Sequence, residues 1–337
     1  IEFAANEKEA ENLEKILVSL GFSHSRQHIN KSVSLWKQGD INIVINTERE
    51  GFAHSSYIAH GTSVCDIGLR VNNAADTVNR ANILGAQSFE QPVGPGEVAI
   101  PAIRGVGGGV VHFLDETKEL HDIWDIEFRE HTAENLATEV GLSKIDHIAQ
   151  TMAYEEMLTW SLFYTSIFEL GKKPMVDVVD PKGLVRSQAI ESPDGGLRIT
   201  LNGTETHRTL AGHFISERFG SSVQHIAFNT NDIFLTSERL IENKFDILEI
   251  QSNYYDDLAT RFNLSDALIS RLRKLNILYD EENGAAFFQL YSKPYGEGLF
   301  FEIVQRDQGY DGYGAPNAPY RIAALRRFLR PAGIPRK

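Results

Sequence analysis

The sequence predicts an α+β protein in which four βαβββ units pair into two open-barrel domains. Four segments repeat one order, in which a short strand is followed by a helix-patterned stretch and then by further β-rich runs. Turn signals such as Gln38-Gly39-Asp40 and Ser192–Gly196 separate those runs, as β-hairpins require. A single unit would leave one face of its curved sheet exposed, so the four units should close in pairs.

Each unit begins with a strand and a helix. In the first unit the strand Ile1–Ala5 precedes Glu7–Leu20, where Leu13 and Leu17 recur at helical spacing and Gly21 ends the pattern. The strands that open the other three units are expected at Asp66–Val71, Asp146–Ala149 and Gln224–Phe228. Their helices are expected at Ala74–Leu84, Met157–Phe168 and Phe234–Glu242, each packed outside its sheet.

The remaining strands follow as short β-rich runs. They are expected at Val33–Trp36, Ile41–Ile45, Gly109–Leu114, Leu184–Ile190, Leu197–Leu201, Ala286–Tyr291 and Leu299–Gln305. The acidic, irregular stretch Asp115–Leu142 is the natural boundary. It separates an N-terminal domain over residues 1–130, without the metal triad described below, from a C-terminal metal-binding domain over residues 140–337.

Composition narrows the classes of function. The 337 residues carry 46 acidic and 33 basic side chains, a formal charge of −13, which disfavours nucleic acid and membrane surfaces as partners. No apolar run approaches the roughly 20 residues of a membrane helix. The single cysteine cannot form an internal disulfide, so a reducing, cytoplasmic location is expected. The chain opens at Ile1, without methionine and within a strand, so we expect a fragment or a chain whose beginning is missing.

Two histidines and one glutamate are the candidate metal ligands. His147 and His225 occupy the same register in the first strands of the last two units, and Glu302 interrupts an apolar strand. Glu302 shares a strand face with Phe300, where an unpaired carboxylate would be costly. Two imidazoles and one carboxylate leave three positions open, which suits an Fe(II) that accepts a chelating substrate and O₂. The alternative is that both histidines are hydrogen-bonded core residues and that Glu302 faces outward.

Motifs along the whole chain resemble the 4-hydroxyphenylpyruvate dioxygenase family of the vicinal-oxygen-chelate (glyoxalase/dioxygenase-like) superfamily. They are His60–Cys65, Pro101–Gly108, Lys144–His147, Val223–Ala227, Asn253–Asp256 and Phe300–Arg306. The resemblance implies that His147, His225 and Glu302 are catalytic and bind Fe(II), with Mg, Mn, Co or Zn as the alternative ion. In the family a 2-oxo acid chelates the iron and is converted with O₂ to homogentisate and CO₂.

The resemblance also implies a pocket for a small aromatic or 2-oxo acid ligand. Its expected lining is Ser187, Asn202, Gln224, Gln289, Tyr291, Phe300, Tyr313 and Asn317. Tyr291 replaces a usual phenylalanine, Thr200 a usual proline and Leu210 a frequent glutamine. In the C-terminal gate Gly312–Ala318, Pro316 replaces a glycine and Ala318 replaces an aromatic residue that would cover the substrate.

Those departures resemble a second group of proteins. Thr209–Phe214 and Tyr313–Ile322 look like the dioxygenase-like C-terminal half of bacterial 3-dehydroshikimate dehydratases, which form protocatechuate in quinate and shikimate catabolism with an N-terminal xylose-isomerase-like barrel. This resemblance implies a metal-binding module fused to an upstream barrel. The alternative is a genuine Fe(II) dioxygenase of tyrosine catabolism. A homo-oligomer is expected in either case.

Four further features have simpler interpretations. The glycine run Gly105–Gly109 precedes a strand and indicates a turn, and Cys65 is expected to be a small buried residue. Arg321–Arg330 is expected to form a basic amphipathic helix that docks on the chain's own acidic surface or on a neighbouring subunit. Register places Glu2, Asp66 and His112 where the metal ligands stand in the second half, so a second metal site is the alternative to solvated strand ends.

Overall fold

The described strands form two curled nine-stranded sheets, against which the helices pack. A computed structural model describes residues 1–131 and 137–329. The strands of the first sheet are β1 Glu2–Ala4, β2 Ser23–His28, β3 Val33–Gln38, β4 Ile41–Asn46, β5 Ser63–Arg70, β6 Ser88–Phe89, β7 Ala102–Arg104, β8 Val110–Leu114 and β9 Phe128–Glu130. Those of the second are β10 Leu142–Ala153, β11 Gly171–Lys172, β12 Val176–Asp180, β13 Gly183–Glu191, β14 Arg198–Thr204, β15 Ser222–Thr230, β16 Leu278–Glu282, β17 Ala285–Tyr291 and β18 Phe300–Arg306.

The α-helices of the described residues lie between these strands and after the last one. They are α1 Glu7–Ser19, α2 Gly51–His60, α3 Ala74–Ile83, α4 Lys118–His121, α5 Ile123–Ile126, α6 Tyr154–Ile167, α7 Leu210–Arg218, α8 Ile233–Glu242, α9 Ser252–Arg261, α10 Asp266–Lys274 and α11 Ala318–Leu325. The helix of the first unit begins where the side chain of Asn6 accepts a hydrogen bond from the backbone N–H of Glu9, and it buries Leu13 and Leu17. Within the described residues, no helix is long and apolar enough to cross a bilayer.

Strand pairing confirms the four-fold repeat. In every unit the first strand pairs in parallel with the last strand of the same unit, as β1 with β4, β5 with β8, β10 with β14 and β15 with β18. Neighbouring units then meet through their first strands, because β1 pairs antiparallel with β5 and β10 pairs antiparallel with β15. The first strands of the last two units therefore lie side by side at the centre of the second sheet.

The stretch Asp115–Leu142 is more regular than the sequence indicates. It contains the short helices α4 and α5, and β9 pairs antiparallel with β2 at the edge of the first sheet. A three-residue strand carries too short a pattern to be recognised, since its partner lies about a hundred residues earlier in the chain. The helices α2, α7, α9 and α10 were likewise not predicted.

The two sheets share one hydrophobic core and meet at a close backbone contact. Buried side chains of the first half, such as Phe3 and Leu13, belong to the same cluster as Phe228 and Leu240 of the second. Gly107, in the glycine run, has a φ of +64°, and a Cβ placed on it would lie 1.9 Å from the carbonyl oxygen of Ser221. Ser221 directly precedes β15, so this turn packs against the strand that carries His225.

Candidate metal centre

Three adjacent strands bring the predicted ligands together. His147 lies on β10, His225 on β15 and Glu302 on β18, and these strands are hydrogen-bonded neighbours in the second sheet. In the parallel pair, Ala227 is opposite Glu302. Since side chains two residues apart point to the same face of a strand, His225 and Glu302 project from one face of the sheet.

The ligand atoms form a nearly regular triangle. Nε2 of His147 lies 3.3 Å from Nε2 of His225 and 3.4 Å from Oε2 of Glu302, and Nε2 of His225 lies 3.3 Å from the same oxygen. Ligand atoms about 2.1 Å from one cation are about 3.0 Å apart in an octahedral face and about 3.4 Å apart in a tetrahedron. The triangle therefore fits a divalent cation of either geometry. Of the residues described, no other group of three histidine, cysteine or acidic side chains has its ligand atoms within 4.8 Å of one another.

The charges of the three side chains favour a positive charge among them. His147, His225 and Glu302 are 4%, 6% and 2% exposed. Burial alone would raise the pKa of Glu302, but the hydrogen bond and charge of His147 lower it to about 2. Burial opposes protonation of His147 as well, yet its contacts with Asp146 and Glu302 raise its pKa. Burial holds the pKa of His225 well below its ordinary value, so this imidazole is neutral and able to bind a cation.

A buried acid orients the first histidine. Oδ1 of Asp146 lies 2.8 Å from Nδ1 of His147, which directs Nε2 toward the triangle. Asp146 in turn accepts two hydrogen bonds of 2.8 Å from Nε and Nη2 of Arg306. Burial would raise the pKa of Asp146, but Arg306 and His147 hold it far below its usual range. Neither Asp146 nor Arg306 was predicted to have a role, although both lie within motifs that carry the family resemblance.

A chain of buried amides orients the glutamate. Nε2 of Gln289 donates to Oε1 of Glu302 at 2.8 Å, which leaves Oε2 facing the histidines. Oε1 of Gln289 accepts from the side-chain amide of Asn317 at 2.8 Å, and the hydroxyl of Tyr254 donates to Oδ1 of Asn317 at 3.0 Å. The C-terminal segment is thereby connected to the triangle through Gln289.

The triangle lies at the wall of a cavity of about 920 Å³. Of the predicted substrate residues, five line this cavity, namely Ser187, Asn202, Gln224, Tyr291 and Tyr313. The other three, Gln289, Phe300 and Asn317, lie behind the lining. Gln289 and Asn317 form the amide chain, and Phe300 stacks on the ring of His225 at 4.7 Å.

The positions that depart from the family pattern also line this cavity. They are Thr200, Leu210, Tyr291, Pro316 and Ala318.

Arg321 lines the cavity too, although the sequence placed this residue in a surface helix. The helical spacing indicates this location, because residues three or four apart share a helix face. Arg321 is three residues after Ala318 and four before Leu325, and both of these are buried. Arg326 of the same segment binds Asp180 at 3.0 Å, whereas Arg330 lies outside the described residues.

The corresponding positions of the first half do not form a similar cluster. His112 contacts the carboxylate of Asp66, whereas Oε1 of Glu2 accepts a hydrogen bond from Asn46 at 2.9 Å. Unlike the triangle, these three residues do not bring one ligand atom each within 4.8 Å of one another. Cys65 is buried beside them, as expected. Burial, and to a smaller extent the nearby charges of Glu2 and Asp66, raise the pKa of its thiol.

Two family models match the chain. Residues 1–129 match "Hydroxyphenylpyruvate dioxygenase, HPPD, N-terminal", and residues 144–267 match the "Glyoxalase/Bleomycin resistance protein/Dioxygenase superfamily". Among solved structures, a xylose isomerase-like TIM barrel/4-hydroxyphenylpyruvate dioxygenase fusion protein superposes with a TM-score of 0.84 at 39% identity, over 97% of this chain and 51% of that one. A mutant of 4-hydroxymandelate synthase from Streptomyces coelicolor shares the fold, with a TM-score of 0.82 at 20% identity over 97% and 96%.

Similar sequences fall into two groups by length. A 3-dehydroshikimate dehydratase of Pseudomonas aeruginosa is 40% identical over 98% of this chain but only 52% of its own length, and one of Pseudomonas putida is 40% identical over 96% and 51%. The chain thus spans about half the length of these relatives. A 4-hydroxyphenylpyruvate dioxygenase of Pseudomonas aeruginosa is 32% identical over 94% of this chain and 89% of its own length. Because this relative matches the chain from end to end, and the N-terminal family model matches residues 1–129, the chain belongs to the 4-hydroxyphenylpyruvate dioxygenase family.

Proposed function

We propose that this chain is the metal-binding, dioxygenase-like module of a bifunctional 3-dehydroshikimate dehydratase, and that its centre binds Fe(II) together with a small aromatic or 2-oxo acid ligand. The observation that carries the proposal is the triangle of His147, His225 and Glu302, all buried and all facing one cavity. The relatives of about twice this length, at 40% identity, support the fusion. Mg, Mn, Co or Zn is the alternative ion.

The residues around the triangle have distinct tasks in this proposal. Asp146 holds the Nδ1 proton of His147, so that Nε2 is free to bind the cation. Gln289 holds one oxygen of Glu302 and leaves the other for the cation. Gln224 accepts a hydrogen bond from Thr151 on its side-chain oxygen, so its amide nitrogen remains to donate to a ligand. A bound Fe(II) would supply a Lewis acid for a chelating ligand and electrons for O₂.

The domain boundaries are part of the same proposal. We assign one domain to residues 1–130 and the other to residues 140–337. The assignment is supported by the two sheets, whose strands run from Glu2 to Glu130 and from Leu142 to Arg306. The reading frame upstream of Ile1 is expected to encode a xylose-isomerase-like barrel, and a start codon immediately before Ile1 would contradict the fusion.

The second candidate is a genuine 4-hydroxyphenylpyruvate dioxygenase. It is favoured by the complete ligand triangle and by relatives of similar length that carry this name. It is disfavoured by the gate, where Pro316 and Ala318 replace a glycine and a ring of the family pattern.

Anaerobic titration with Fe(II) followed by 4-hydroxyphenylpyruvate tests both candidates. The module is expected to bind one Fe(II) per chain, and H147A should lose that binding while Asp177→Asn, on an exposed side chain, retains it. A charge-transfer band followed by oxygen uptake would establish the dioxygenase. Binding of Fe(II) without oxygen uptake would support the module, and failure to bind any divalent cation would overturn both.

A further inference from the structure

Arg321 lines the cavity beside the triangle, and its guanidinium lies over two aromatic rings. Its guanidinium carbon lies 5.1 Å from the ring centroid of Phe300 and 5.4 Å from that of Tyr291. Phe300 stacks on His225, so the guanidinium lies close to a ligand of the proposed cation. A cation over a ring face is stabilised by the ring quadrupole, and the flat guanidinium suits this position.

This charge has no anionic partner among residues 1–131 and 137–329. None of their carboxylates lies within 4.0 Å of the guanidinium of Arg321. Of the other acids in the cavity wall, Asp180 binds Arg326 at 3.0 Å and Asp280 accepts a hydrogen bond of 2.6 Å from Tyr310. Glu281, Glu282 and Asp311 also line the cavity, and none of them lies within 4.0 Å of the guanidinium of Arg321. By contrast, Arg306 is paired with Asp146 and also donates to the backbone carbonyl oxygens of Tyr310 and Gly312. Arg321 is therefore available to an anion that enters the cavity.

Thr200 supplies a second polar group of the cavity wall that lacks a partner in the described residues. Thr200 and Glu302 occupy equivalent positions in the last strands of their units. Thr200 is opposite Ala149, two residues after His147. Glu302 is opposite Ala227, two residues after His225. The hydroxyl of Thr200 is buried and has no hydrogen-bond partner in the part of the chain that the structure describes. A ligand oxygen near the cation would satisfy it.

The charges of the loaded centre favour a ligand with two negative charges. At the triangle itself, a divalent cation would bring two positive charges and Glu302 brings one negative charge. Arg321 adds a further positive charge that has no carboxylate of the described residues within 4.0 Å. A chelating monocarboxylate would balance the cation and Glu302 but would leave the half-buried guanidinium of Arg321 without a carboxylate partner. A carboxylate facing Arg321 would form charge-assisted, two-point hydrogen bonds with its planar guanidinium.

We propose that the natural ligand of this cavity carries a carboxylate, separate from its chelating oxygens, that Arg321 binds. This inference rests on the proposed function, because it assumes a cation at the triangle. Two classes of molecule share the required chemistry, a 2-oxo acid with a second carboxylate and a catechol with a ring carboxylate. Both differ from 4-hydroxyphenylpyruvate, whose one carboxylate belongs to its chelating end.

Matched pairs of probes test the inference. Calorimetry measures the affinity of each probe for the full chain, both cation-free and loaded with Co(II). The first pair compares 3,4-dihydroxybenzoate with 4-methylcatechol. The second pair compares 4-carboxyphenylpyruvate with 4-methylphenylpyruvate. In at least one pair the carboxylate is expected to strengthen binding by about tenfold or more. The pair that shows the preference identifies the catechol or the 2-oxo acid class.

Three variants assign the preference to Arg321. R321L should reduce the ratio within the pair to about one, and Arg321→Lys should restore part of it. Arg327 is an exposed residue of the same segment, and its guanidinium binds the backbone carbonyl of Glu249. Arg327→Leu removes this charge and should leave the ratio of affinities within each pair unchanged. Co(II) binding by R321L reports that the variant is folded.

A ratio near one in the native chain for both pairs, or a ratio that R321L retains, would overturn the inference. Failure of the native chain to bind any cation would instead overturn the proposed function. The ratio of affinities within each pair, measured on the cation-free protein, would then test Arg321 by itself: a preference for the carboxylate that R321L removes would support its role, and a ratio near one would overturn it.

Discussion

Asp146 and Arg306 form a buried, two-point ion pair, although they are 160 residues apart in the chain. The pair lies behind His147, whose Nδ1 contacts Asp146 at 2.8 Å. Arg306 also donates to the carbonyl of Gly312 at 2.6 Å, at the start of the C-terminal gate. One guanidinium therefore connects the orientation of a proposed metal ligand, His147, to the C-terminal segment that lines the cavity.

The first prediction concerns this pair. Asp146→Asn keeps the size of the side chain but removes the negative charge that holds the Nδ1 proton of His147, so the affinity for Fe(II) or Co(II) should fall about 10- to 100-fold. The affinity is measured by competition with a chelating dye. Asp177→Asn, on an exposed strand of the same sheet, is the control and should bind the metal as the native chain does. An unchanged affinity in Asp146→Asn would show that Asp146 does not orient His147.

The sequence predicts the triangle more readily than its surroundings. His147 and His225 repeat at one register, and Glu302 stands out as an acid in an apolar strand, so each carries a local signal. Arg306 carries none, because its partner depends on how β18 lies relative to β10 two strands away. Thr200 is equivalent to Glu302 only through strand pairing. The short strand β9 was missed for the same reason, since long-range pairing rather than local pattern defines it.

The second prediction concerns the contact between the two halves. Gly107→Ala places a methyl group against the carbonyl oxygen of Ser221 and also strains a φ of +64°, so we expect it to destabilise the protein by about 2 kcal/mol or more. Gly108→Ala is a matched control, because its φ is +77° but a Cβ there would meet nothing within 4 Å. It should cost only about 1 kcal/mol. The free energies of unfolding in urea make the comparison, and equal losses would show that the close approach contributes nothing.

The third prediction concerns pH. The ring of His24 stacks between Trp36 at 4.9 Å and His131 at 3.7 Å. Burial first, and the charge of His131 second, lower the pKa of His24 from 6.5 to about 4. The unfolded chain therefore binds more protons between these two values, so stability from this group is present above about pH 6.5 and is lost as the pH falls toward 4.

His24→Phe isolates this contribution, because it keeps the stacked ring and removes the titrating group. Relative to the variant, the native chain should lose about 1 kcal/mol of unfolding free energy between pH 7 and pH 5, after allowance for the half-exposed side chain. Urea unfolding at several pH values measures the difference, which should be constant above about pH 7. Parallel pH profiles for the two proteins would contradict the assignment.

The last prediction concerns the free energy lost by burying the unpartnered hydroxyl of Thr200, which we propose contacts the ligand. The buried hydroxyl of Thr200 has no hydrogen-bond partner in the described residues, whereas that of Thr204, on the same strand, lies 3.0 Å from the hydroxyl of Thr209. Thr200→Val should therefore stabilise the ligand-free protein by about 1 kcal/mol, and Thr204→Val should destabilise it by a similar amount. If the hydroxyl of Thr200 serves the ligand, Thr200→Val must also bind the preferred probe less tightly than the native chain. A variant that gained stability and kept full affinity would show that this hydroxyl does not contact the ligand.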